Sequence, residues 1–115
     1  MPLDLAVQRI ADDTAVLSLT GALTLGTGLK TVDTQILSLV ENGVSNLVLD
    51  LSGVPYIDSA GLGTIIHTLG LVGHRGGRLR ICGISERVGA MLKMTRTDAF
   101  LPVDANLAAS LAGLR

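Results

Sequence analysis

The stretch Asn46-Leu47-Val48-Leu49-Asp50-Leu51, followed by Ser52-Gly53-Val54-Pro55-Tyr56-Ile57-Asp58 and then Ser59-Ala60-Gly61-Leu62-Gly63, decides the fold. Its first six residues form a short, nearly continuous apolar run, the pattern of a strand covered on both faces by helices. From Ser59 the period changes. Leu62, Ile65, Ile66, Leu69 and Val72 recur at helical spacing and are the expected buried face of a helix. Gly73 through Gly77 stops that helix, and Leu79-Arg80-Ile81-Cys82-Gly83-Ile84 alternates like a second strand. A strand, a helix and another strand in this order are a parallel β-α-β unit.

Downstream, Val88, Met91 and Leu92 open another helix, and a weak last helix spans Ala105 to Leu114. Upstream, Leu29, Val32, Ile36 and Val40 mark a helix, with Leu37 widening its stripe and Asn42-Gly43 ending it. Gly21 to Gly28 is rich in Gly and Thr and is expected to be a flexible connection. Before it, Leu3 to Ile10 and Ala15 to Thr20 are strands joined by Asp12-Asp13, the turn chemistry of an antiparallel hairpin. The order β-β-α-β-α-β-α-α predicts a single α/β domain over residues 1–115. Its sheet is four-stranded, mixed and mostly parallel, with an N-terminal hairpin and roughly four helices.

Composition narrows the function. Hydrophobic residues make up 48% of the 115, enough for a continuous core without disulfide or metal staples. A net charge of −1 and only two aromatics, Tyr56 and Phe100, give neither the basic footprint nor the stacking platform of a nucleic-acid binder. The lone Cys82 excludes an intrachain disulfide and reads as a buried hydrophobe. No His, Cys or acid cluster has metal-ligand spacing, and no cofactor is expected. Met1-Pro2-Leu3-Asp4 does not open like a signal peptide and no apolar stretch has membrane-span length, so a cytoplasmic protein is expected.

Tyr56 to Gly63 lies where a strand hands over to a helix, the end of an α/β sheet at which function gathers. Ser59 stands at the expected helix start. Asp58 or Ser59 can cap that helix. Gly61 and Gly63 each cost a helix about 1 kcal/mol relative to alanine, so a close approach to the backbone is expected there. Ser59, Gly63, His67 and Gly70 fall on one stripe, a low groove for a partner protein or for a neighbouring helix of the same chain. A hydrolase based on Ser59 is not expected, because His67 is eight positions along the same helix, about 12 Å of rise away. Gly26-Thr27-Gly28-Leu29-Lys30-Thr31 departs from a phosphate-binding P-loop, its lysine being displaced from the glycine.

With Leu19-Thr20-Gly21-Ala22-Leu23, Leu47 to Leu51, Ile57 to Gly63 and Gly76 to Ile84 in order, the chain resembles the STAS domain of bacterial anti-sigma-factor antagonists. Asp58-Ser59-Ala60-Gly61-Leu62-Gly63 is the specific piece. The resemblance implies partner switching. The unphosphorylated antagonist binds an anti-sigma factor that is also a serine kinase, the kinase phosphorylates Ser59, and a serine phosphatase reverses it. Asp58, Ala60, Gly61, Leu62 and Gly63 would surround the phosphosite, and Gly21, Thr24, Ser59, Gly63, His67 and Gly70 would meet the partner. A weak homodimer is compatible with this scheme. Thr24 departs from the acid that many antagonists carry at that position, which removes any contact made by that acid. The alternative is a STAS scaffold subunit of a stressosome-like or lipid-transport assembly.

Overall fold

The first hairpin sets the sheet. Strands β1 (Asp4–Ala11) and β2 (Thr14–Thr20) pair antiparallel, with Val7 opposite Leu17 and a register shift between Arg9 and Ala11. Every later strand is parallel to its neighbour. In chain order come α1 (Thr27–Glu41), β3 (Asn46–Gly53), α2 (Ser59–His74), β4 (Arg78–Cys82), α3 (Glu86–Met94), β5 (Val103–Asp104) and α4 (Leu107–Gly113). The sheet order is β1-β2-β3-β4-β5. This is the architecture of a computed structural model that describes residues 2–114.

The two faces of the sheet are covered unequally. On one, Leu17, Leu19, Leu47, Leu49 and Ile81 meet buried side chains of α1, α2 and α3 in a single core. On the other, Val16, Val48 and Cys82 are covered by Leu107, Leu111 and Leu114. Burial pushes the Cys82 thiol up to about 11, so it behaves as the small hydrophobe its strand position suggests. Polar groups hold α4 to the sheet edge. Asp104 accepts from Arg80 Nε at 2.8 Å and from Ser110 Oγ at 2.8 Å, and pairs with Arg80 Nη2 at 2.5 Å.

Four expectations are corrected. The sheet has five strands instead of four, because Val103 and Asp104 pair with Ile81 and Cys82. In α1, Leu37 is exposed and Leu39 takes the buried place. In α2, Ile66 is exposed and Leu69 half-buried, while Thr64 and Thr68 are buried. Thr68 tolerates burial because its Oγ1 donates to the Thr64 carbonyl at 2.7 Å. The strand predicted to reach Ile84 stops at Cys82, since Gly83 turns the backbone at φ +72°.

Tight packing at the base of the sheet is testable. A Cβ on Gly77 would overlap the Ser45 carbonyl oxygen, whereas one on Gly70 would meet nothing within 4 Å. Gly77→Ala is expected to destabilise by about 1–3 kcal/mol, and Gly70→Ala to stabilise by about 0.5–1 kcal/mol. Urea denaturation of the two variants measures both signs.

Candidate functional site

The connection from Gly21 to Gly28 is laid along the segment that leads into α2. Gly21 N donates to the Gly53 carbonyl at 2.9 Å, Leu23 N to that of Tyr56 at 3.1 Å, and Asp58 N to that of Leu23 at 3.3 Å. Leu23 and Ile57 form a parallel bridge that prolongs the β2–β3 pairing beyond the strands. The flexible loop expected from composition is therefore pinned by its backbone up to Leu25.

The two glycines of the first turn of α2 have different reasons. A Cβ on Gly61 would collide with the Leu23 carbonyl, so Gly61 admits the chain's own loop. Around Gly63 nothing lies within 4 Å of such a Cβ, and Gly70 is equally open. Among the described residues, no neighbouring helix comes that close to either glycine.

Asp58 is the N-cap of α2. Its Oδ1 accepts from Gly61 N at 2.9 Å and its Oδ2 from Leu25 N at 3.0 Å. These N–H groups, that of Leu25 foremost, hold the carboxyl below the usual carboxylate range. Capping and loop-pinning thus share one side chain. Ser59, the first residue of the helix, is exposed; Ala60 is half-buried against the core, and Leu62 is buried.

Two cavities flank this junction. A groove of about 550 Å³ runs between the start of α1 and α2, lined by Leu25, Lys30, Asp33, Gly63 and His67 among others. A cleft of about 820 Å³ lies on the other side of the loop, with Gly21, Thr24, Leu25, Tyr56 and Ser85 in its wall. The residues expected to meet a partner are therefore divided. Gly63 and His67 line the groove, Gly21 and Thr24 the cleft, and Gly70 is exposed farther along α2. Gly21 is itself buried, at φ +108°. Leu25 belongs to both walls and escaped the sequence reading; its one signal was a large apolar residue inside a Gly/Thr-rich loop. Among the described residues, no group of three or more His, Cys, Asp or Glu could hold a metal ion. No helix there is long and apolar enough to cross a membrane.

A sheet with one antiparallel edge hairpin, and an Asp-Ser pair opening the helix after its central strand, define a class that sequence comparison identifies. The STAS domain profile matches residues 6–110, and the chain belongs to that family. An anti-sigma-B factor antagonist of Staphylococcus aureus is 33% identical over 55 residues, 48% of this chain and 51% of the relative. The match thus spans about half the length of the curated relative. An anti-sigma factor antagonist from Mycobacterium paratuberculosis superposes with a TM-score of 0.83 at 21% identity, over 98% of this chain and 94% of that one. The phosphorylated form of the Bacillus cell fate determinant SpoIIAA gives 0.76 at 14%, over 97% and 100%. At such identities these structures show the shared fold.

The lowered Asp58 carboxyl has a pH signature. Its two hydrogen bonds stabilise the fold fully above the unfolded-state value, near pH 4, and that contribution is lost as pH falls through the lower folded value. Asp58→Asn is expected to flatten the acid limb of stability against pH. Urea midpoints for both proteins across that range provide the check, and parallel limbs would refute the assignment.

Proposed function

We propose that this chain is an anti-sigma-factor antagonist that works in the cytoplasm by partner switching. Unphosphorylated, it binds an anti-sigma factor that is also a serine kinase; phosphorylation of Ser59 by that kinase releases it, and a serine phosphatase restores it. The observation that carries this reading is the exposed Ser59 side chain at the first residue of α2, beside an open groove. The S. aureus relative, named an anti-sigma-B factor antagonist, and the Bacillus neighbour, described in a phosphorylated form, support it.

The physics of the switch is local. A phosphate adds about −1.5 to −2 charges at neutral pH. The positive end of the helix dipole accommodates such charge, by roughly 0.3–1 kcal/mol at an exposed site. A protein surface pressed on the same spot would have to bury that dianion, at a much larger cost unless it were paired. The chain has no catalytic role in this scheme: Ser59 and His67 share one helix, about 12 Å of rise apart, beyond general-base reach.

Capture from the native cell on immobilised protein, followed by phosphosite mapping, tests the reading. Ser59→Ala is expected to retain the kinase, and Ser59→Asp to bind it at least about tenfold more weakly, a loss of ~1.4 kcal/mol. Gly63→Leu is expected to fold normally and lose the partner, since its new side chain enters the groove. Tight binding by Ser59→Asp, or phosphate found only on other residues, would refute the proposal. A megadalton native particle would favour the scaffold role instead.

A further inference from the structure

Leu25 is 81% exposed, the most exposed large apolar side chain among the described residues. An exposed leucine alone carries no meaning. Its attachment does. The Leu25 N–H donates to Asp58 Oδ2 at 3.0 Å, and Asp58 immediately precedes Ser59. Whichever protein reaches the Ser59 hydroxyl must cover its immediate surroundings, and that carboxylate holds Leu25 among them. Leu25 also stands in the walls of both the groove and the cleft, on the ridge it forms with Gly26, Thr27 and Leu29.

From this arrangement, and resting on the reading of Ser59 as phosphoacceptor, we infer that Leu25 is the apolar anchor that fills a pocket on the serine kinase, and that Asp58 is the positioning residue that presents it. The surroundings suit an apolar contact. Ala60 and Gly63 leave low ground on one side, and the charged side chains among the described residues of the groove wall, Lys30 and Asp33, are of opposite sign. An interface draws most of its energy from a few side chains that fill desolvated pockets on the partner. Asp58 acts by position on this account, since each of its oxygens accepts one backbone N–H group, that of Leu25 or of Gly61.

Substituting asparagine at position 58 separates its two tasks. Asn keeps one carbonyl oxygen to cap Gly61, but the other position becomes an NH2 donor that cannot accept from Leu25 N. In the purified chain, Asp58→Asn is expected to speed hydrogen exchange of the Leu25 amide about tenfold or more, with the Gly21 and Leu23 amides unchanged. With the serine kinase activity fractionated from the native cell, phosphate transfer to Ser59 is followed by intact mass. Leu25→Ala and Asp58→Asn are each expected to raise KM about tenfold with kcat within about twofold. Leu25→Ala should leave Tm unmoved, since it removes a solvent-exposed group. An unchanged KM, a fall in kcat alone, or an unchanged Leu25 amide overturns the inference while Ser59 phosphorylation stands. If the wild-type chain takes no phosphate on Ser59, the proposed function falls and this inference with it.

Discussion

The close passage of the Leu23 carbonyl over Gly61 is the constraint on which the site depends. Only a residue without a Cβ lets the loop after β2 lie this near the first turn of α2. That approach places Leu23 where it can accept from Asp58 N and donate to Tyr56 O. It also brings Leu25 N within reach of the Asp58 carboxylate. With the loop held there, the space beside it is divided into a groove and a cleft. A methyl group at position 61 would push against the Leu23 carbonyl and so against the loop that presents Leu25 N to Asp58.

What the sequence made legible, and what it hid, follows from the range of the interactions. The apolar run of β3 and the period change at Ser59 are local signals, and both elements stand close to where they were expected. The hairpin was visible because Asp12-Asp13 interrupts two strand patterns within a few residues. Strand β5, only two residues long, has no period to detect; pairing with β4 defines it. The face of α2 was legible at Leu62, Ile65 and Val72, while its buried threonines were missed because hydrophobic counting assigns threonine to solvent. Thr68 is buried on the strength of a hydrogen bond that composition cannot register.

Gly61 and Gly63 look alike in the sequence, two helix-weakening residues in one turn, yet they solve different problems. The former is required by a contact with Leu23, 38 positions earlier in the chain (61 − 23). The latter faces open space and carries no requirement from within the fold. Such a distinction rests on long-range packing and is invisible to spacing arguments. The Leu25–Asp58 hydrogen bond, spanning 33 positions, is hidden for the same reason. In each case the short-range signal marked the right segment and left its purpose open.

Asp58 also determines what a phosphate on Ser59 would encounter. The start of a helix attracts anions through its free N–H groups and its dipole. Here part of that attraction is already engaged, since Asp58 accepts from Gly61 N and remains ionised below the usual carboxylate range. A second anion on the adjacent residue would gain from the dipole and lose by repulsion from Asp58, two effects of opposite sign. The fold would then neither seize the phosphate nor be disrupted by it. Left projecting into water, the new charge would exert its main effect on whatever surface closes over Ser59, so a modification nearly neutral for the domain would be decisive for its complex.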